Sequence, residues 1–111
     1  MKLRELEATF LKTLEADAIL FVDTLAGANG VRFLCPKCFE EKGGREGVHS
    51  VTCWFVGVPL DRNPGPGRWA PRGHGIEDLS LVAGPVGTGS VQIFGCGWHG
   101  RITNGEATLT P

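Results

Sequence analysis

Hydrophobic residues near the start of the chain recur at helical spacing. Leu3, Leu6, Phe10 and Leu14 are separated by charged residues, and apolar positions three or four apart line one face of a helix. The pattern predicts an amphipathic helix over about residues 2–16, within an N-terminal helical segment 1–17. Its apolar stripe is expected to pack against a core.

The rest of the chain is typical of short strands. β-Branched and aromatic residues, which favour strands, are concentrated in five segments: 18–25, 31–34, 48–56, 76–82 and 90–94. In 48–56 both alternating sets are largely apolar, so both faces of that strand are expected to be covered. Asn104-Gly105 then predicts a type I′ hairpin turn, because both central residues of such a turn need positive φ.

Residues 57–75 contain four prolines and five glycines. Proline lacks a backbone donor and glycine weakens regular elements, so this segment is predicted to be a long loop without a helix or strand. Together the patterns predict an α+β fold, in which an N-terminal helix packs on a small antiparallel sheet.

Length and composition predict one domain covering residues 1–111. The chain has 111 residues, 41% of them hydrophobic, and a formal net charge of −1, so it lacks the basic stripe that nucleic-acid binding requires. No apolar run reaches the roughly 18–20 residues that span a bilayer, and the charged N-terminus is unlike a signal peptide. A cytoplasmic protein without a membrane segment is therefore expected, and reduced thiols with it.

Two short motifs carry the chemistry. Cys35-Pro36-Lys37-Cys38 and Cys96-Gly97-Trp98-His99 each follow a predicted strand, and a two-residue gap lets both side chains of a turn face one ion. Together they supply the four ligands of a tetrahedral zinc site, predicted as Cys35, Cys38, Cys96 and His99. The hairpin behind the second motif makes the predicted sheet zinc-ribbon-like.

His49 and Cys53 are alternative ligands for this site. Positions four apart in a strand are separated by roughly 13 Å, so at most one of the two can join the ion. Cys53 lies between Val51 and Phe55 at strand period and is typical of a small buried hydrophobic residue. His49 lies at the start of the same predicted strand, within reach of a metal turn.

A resemblance extends over about residues 30–109. The run Val31–Cys38, the loop around 66–71 and the terminal Cys96–Gly100 with Thr103-Asn104-Gly105 resemble a family of small phage and prophage proteins of unknown function, often labelled ammonia monooxygenase. The resemblance implies a phage accessory protein with a zinc site and no established activity. The oxygenase label does not suit this chain, which has three histidines and no spanning segment.

Two enzymatic alternatives stay open. A catalytic zinc would require an open coordination position and a general base, but the deaminase His-x-Glu and the protease His-Glu-x-x-His patterns are both absent. Cys-Pro-x-Cys after a strand is also similar to thioredoxin-like dithiols. Here Gly43-Gly44 ends any helix soon after the motif.

The segment 57–75 is the predicted interaction surface. It carries Arg62, Arg68, Trp69 and Arg72, and Trp and Arg are enriched among residues that dominate binding energy. A protein partner, from the host or the phage, is therefore predicted, with nucleic acid less favoured because the local positive charges are few. The sequence thus predicts a non-enzymatic zinc-binding interaction protein.

Overall fold

A computed structural model describes residues 1–13, 19–58, 68–83, 89–92 and 96–109, with the backbone only at residue 92. Within these residues the chain forms short strands, one α-helix and two single-turn 3₁₀ helices at Leu25–Gly27 and Ile76–Asp78. The strands and the helix are β1 (Thr9–Thr13), β2 (Ile19–Val22), β3 (Gly30–Leu34), α1 (Pro36–Lys42), β4 (Ser50–Trp54), β5 (Trp69–Arg72), β6 (Ser80–Ala83), β7 (Val91–Gln92), β8 (His99–Gly100), β9 (Ile102–Thr103) and β10 (Glu106–Ala107).

The largest sheet is antiparallel and has the strand order β2-β1-β3-β4. Three two-stranded antiparallel sheets, β5-β6, β7-β8 and β9-β10, complete the strand pairing among the described residues. The mixed strand and helix content agrees with the predicted α+β class. The likeness to a zinc ribbon stays a prediction.

The predicted N-terminal helix is wrong. Residues 3–7 form turns, and Thr9–Thr13 is strand β1. The first residues instead pair with the C-terminal hairpin: the Leu3 N–H donates to the Gly105 carbonyl at 2.8 Å, and the Ala107 N–H donates to the Met1 carbonyl at 2.7 Å. Leu14 lies outside the described residues.

The helical spacing of the N-terminal apolar residues led to a wrong prediction because turns and a strand bury these residues instead of a helix. Leu3 and Leu6 are fully buried within the turns, where the Leu6 N–H donates to the Leu3 carbonyl at 3.0 Å. Phe10 and Leu11 then lie next to each other in β1 and are buried on opposite faces of the sheet. Pairing with β2 and β3 on both sides outweighs the local helical preference.

Most of the predicted strands are confirmed, with shorter bounds. β2, β3, β4 and β6 fall within or overlap the predicted segments, and β7 lies within the described part of 90–94. The hairpin turn is confirmed as well, since Asn104 has φ 49° and Gly105 has φ 75°. Within the predicted loop 57–75, however, Trp69–Arg72 forms β5 and pairs with β6. Residues 59–67 lie outside the described part.

One face of the main sheet packs on the core. The cluster of buried side chains comprises Leu3, Leu6, Phe10, Val31, Phe33, Cys35, Cys38, Val51, Cys53, Phe55, Leu79, Leu81, Val91, Trp98, Ile102 and Ala107. The opposite face carries a small cluster of Leu11, Trp54 and Val58. β4 therefore has buried side chains on both faces, as its sequence predicted.

Candidate metal centre

The first pair of thiols lies at the start of α1. Cys35 is the N-cap residue, Pro36 occupies the first helical turn, and Cys38 is the third helical residue. Proline is pre-organised for that first turn, and the N-cap and third residues of a helix lie side by side. The two thiols are buried, with exposed fractions of 0% for Cys35 and 8% for Cys38, and consequently face the same point at the edge of the core.

His49 reaches the same point through the pairing of β3 with β4. The register places Leu34 opposite Ser50, and the Cys35 N–H donates to the His49 carbonyl at 2.9 Å. The register therefore continues one residue beyond both strands and sets His49 opposite Cys35. Because opposite residues of an antiparallel pair share a face, the imidazole lies on the side of the thiol.

The second motif is brought to the first by an aromatic contact. Phe33 lies two residues before Cys35 and Trp98 two residues after Cys96, and their rings pack edge to face with centroids 5.9 Å apart. The Trp98 indole N–H donates to the Thr108 carbonyl at 3.0 Å. As a result, the Cys96 sulfur lies 3.6 Å from the Cys35 sulfur.

A lysine also joins the two segments. The Lys37 Nζ, one residue before Cys38 in α1, donates to the Cys96 carbonyl at 2.8 Å. A cation at this position lies beside a group of thiols whose metal-bound form carries negative charge. Lys37 therefore supports the site both as a hydrogen-bond donor and as a counter-charge.

The four candidate ligand atoms of Cys35, Cys38, His49 and Cys96 lie within 4.8 Å of one another and could hold a metal ion. Among the described residues, this group is completed by His49, the alternative that the sequence left open, and not by His99. His99 lies in β8, paired with Gln92. Gly97 with φ 80° and the buried Trp98 carry the chain into that strand, and His99 is not among the four residues whose ligand atoms converge.

Cys53 is not part of the group. It lies in β4 opposite Val31, on the core face of the sheet, and is fully buried. Burial raises the pKa of its thiol well above the ordinary value. The interpretation of Cys53 as a small buried hydrophobic residue fits this position.

The three remaining thiols differ in acidity. Burial raises the pKa of Cys35 to about 12 and is also the main reason that the pKa of Cys38 is raised. Burial acts in the same direction on Cys96, but hydrogen bonds from the Trp98 backbone and from its neighbours His49, Cys35 and Cys38 lower its pKa to about 7. Cys96 is therefore the most acidic thiol of the three, because its neighbours in the group form hydrogen bonds with it.

The donor set fits zinc. In a tetrahedral site with Zn–S distances of about 2.3 Å, neighbouring sulfurs are separated by roughly 3.8 Å. The Cys35–Cys96 separation of 3.6 Å is close to this value and far from the roughly 2.05 Å of a disulfide. Three thiolates and one imidazole are also a common structural zinc set.

The predicted interaction residues have different surroundings. Arg68 is buried, with 4% exposed, and its Nε donates to the Val58 carbonyl at 2.9 Å; burial lowers its pKa. Trp69 is half-buried against the core and its backbone forms an isolated parallel β-bridge with Phe55. Arg72 is exposed at the end of β5, and Arg62 lies outside the described residues.

No protein-family model, no curated protein and no solved structure matches this chain. No helix in the described residues is long and apolar enough to cross a membrane. The function is therefore inferred from the metal centre itself. The resemblance to phage proteins contributes only an expectation about biological context.

Proposed function

We propose that this protein is a non-enzymatic zinc-binding interaction module, in which a structural zinc ion joins three separate segments of the chain. The observation that supports this most directly is the convergence of Cys35, Cys38, His49 and Cys96 within 4.8 Å. Four protein ligands fill a tetrahedral shell and leave no position for substrate.

The placement of the ligands explains what the zinc would do. It would tie the β3–α1 corner to the start of β4 and to the turn before β8, and the Cys35 and Cys96 ligands are 61 residues apart in sequence. In a loop-rich chain of 111 residues with 17 glycines, such a long-range link replaces part of a larger core. Structural zinc contributes on the order of 10 kcal/mol to folding in small domains.

A small zinc-dependent hydrolase is the second candidate, and one observation favours it. His49 is the exposed member of the ligand group, and the carboxylate of Glu41 adds to the effect of burial in raising the pKa of the Cys38 thiol. If His49 left the ion, water would take the open position and Glu41 could accept its proton. This candidate therefore depends on the lability of one histidine.

The redox alternative receives less support from the site. A dithiol nucleophile at a helix N-terminus needs a lowered pKa, whereas burial raises the pKa of Cys35 to about 12. A redox role would also leave His49 and Cys96 without a function, although both contact the other thiols.

The biological setting that we propose is a phage accessory protein with a protein partner in the host or the phage. Its contact surface would include the exposed Arg72 and the segment 57–75 that follows β4. Arg68 acts differently, since its buried side chain holds that segment at Val58. Zinc would then serve recognition by keeping the scaffold of this surface rigid.

Metal analysis combined with X-ray absorption spectroscopy tests the proposal. We expect one zinc per chain with three sulfurs and one nitrogen as ligands, and no catalytic turnover of generic ester or phosphoester substrates. A first shell containing water together with such turnover would favour the hydrolase. A metal-free protein that forms a reversible Cys35–Cys38 disulfide would favour the redox alternative.

A further inference from the structure

Strand β2 is an apolar edge strand. It lies at one end of the main sheet, and no other described strand pairs with the side facing away from β1. Three consecutive side chains are exposed, Ile19 at 39%, Leu20 at 49% and Phe21 at 62%. Most natural sheets protect such an edge with lysine, proline or a bulge, and Ile19–Val22 has neither residue.

The register divides these side chains between the two faces of the sheet. Phe21 pairs with Leu11 and Ile19 with Thr13, on the face opposite the core, whereas Leu20 pairs with Lys12 on the core face. The face of Phe21 also carries Leu11, whose neighbours Trp54 and Val58 complete the second buried cluster. Phe21 thus extends an apolar surface out to the edge of the sheet.

We propose that β2 pairs antiparallel with β2 of a second copy of this chain, which joins the two main sheets into one. If a two-fold axis perpendicular to the sheet relates the two copies, each side chain of one β2 can pair only with a side chain on the same face of the other β2. Placed at Leu20, the axis sets Leu20 against Leu20 of the second copy and Ile19 against Phe21 of that copy, twice. This register pairs all three exposed side chains with apolar partners and is self-complementary, as a two-fold interface requires.

The charges near the edge permit this arrangement. Arg32 lies over the ring of Phe21 in its own chain, 5.4 Å from the centroid, and Phe21 is nevertheless 62% exposed. Lys12 lies one strand inward, so the two copies of it would be separated by three strand spacings, about 14 Å. That distance exceeds the Debye length of about 8 Å at physiological salt, and the repulsion is therefore largely screened.

The available area sets the strength of the association. The three side chains expose roughly 300 Å² in each chain, of which Phe21 supplies about 100–150 Å², whereas a stable interface buries about 800 Å² in each partner. Edge pairing would add backbone hydrogen bonds but little further side-chain area. The dimer should therefore be weak and reversible.

Sedimentation velocity of the full chain, from about 5 µM to about 1 mM, tests the proposal. We expect a concentration-dependent monomer–dimer equilibrium that Ile19→Lys weakens at least about tenfold, because a charge would then face Phe21 of the second copy. Val82→Lys is the matched control, since Val82 is also β-branched, lies in strand β6 and is 38% exposed. It should leave the equilibrium unchanged.

A second variant and a second measurement keep the test decisive. Leu20→Lys should weaken the dimer to a similar extent, and hydrogen exchange of the β2 amides should slow as the concentration rises. Circular dichroism establishes that each variant is folded. Sedimentation as a monomer at every concentration would overturn the proposal, as would a dimer that Val82→Lys disrupts and Ile19→Lys does not. Binding of an unrelated peptide at β2 with no self-association would also overturn it.

Discussion

The identity of the fourth metal ligand is the sharpest prediction of the structure. The chain offers a matched pair of histidines: His49 lies with the three thiols, whereas His99, the ligand predicted from spacing, lies in β8. We expect His49→Ala to weaken zinc binding strongly. We expect His99→Ala to change it by less than about tenfold, the lower limit for changes outside the first shell.

The magnitude follows from the number of ligands. Structural zinc binds with an apparent free energy of about 10–16 kcal/mol, so one ligand of four contributes about 2.5–4 kcal/mol. Because His49 is exposed, water can replace the imidazole and recover part of this binding free energy. A loss of about 2.7 kcal/mol, or a hundredfold in affinity, is therefore expected. At a fixed excess of free zinc, the free energy of unfolding should fall by a similar amount.

Competition with a chromophoric chelator measures the affinity, and cobalt substitution reports the ligand set. The cobalt spectrum of the wild-type protein should show a tetrahedral site with thiolate charge transfer, and His49→Ala should alter its ligand-field bands while His99→Ala leaves them unchanged. The reasoning would be refuted if His99→Ala lost zinc while His49→Ala retained wild-type affinity. In that case the second motif would close around the ion and the β3–β4 register would not supply a ligand.

Three further outcomes are expected. Cys53→Ala should keep one zinc per chain by metal analysis and lower the free energy of unfolding by only about 1 kcal/mol, as for loss of a small buried group; loss of the zinc would place Cys53 in the site. Gly105→Ala should lower the free energy of unfolding in urea by about 3 kcal/mol or more, because an added Cβ would collide with the Glu77 carbonyl. Gly43 has a similar φ of 68° but open space around it, so Gly43→Ala should cost only about 1 kcal/mol. Equal effects of the two substitutions would contradict the close approach of the hairpin to Glu77. Zinc binding at pH 7 should release about two to three protons, because the pKa values of Cys35 and Cys38 are raised and that of Cys96 is lowered to about 7. Since the bound ion keeps the thiols ionised, the stabilisation by zinc is present at higher pH and is lost as the pH falls. Calorimetry in buffers of different ionisation enthalpy measures the release, and a value of less than one proton would exclude thiolate coordination.

Much of the strand pattern could be predicted from the sequence, because it depends on local preferences. Val31 and Phe33, and likewise Val51 and Cys53, alternate at strand period and are buried on one face. The N-terminal segment shows where this reasoning fails. Leu3, Leu6 and Phe10 are buried as their helical spacing suggested, but hydrogen bonds to the C-terminal hairpin commit the first residues to another conformation. No local pattern shows a partner a hundred residues away.

The candidate site likewise has one part that the sequence determined and one part that depends on the tertiary structure. Cys35 and Cys38 are separated by two residues within one helical turn, so the sequence itself determined that their thiols lie side by side. The sequence likewise determined the positive φ that Asn104-Gly105 adopts in the hairpin. The placement of His49, and not His99, beside the three thiols depends on the tertiary structure. It depends on the register of β3 against β4 and on the packing of Trp98 against Phe33. Short-range geometry is encoded in neighbouring residues, whereas a fourth ligand is selected by contacts that exist only after the sheet and the core have formed.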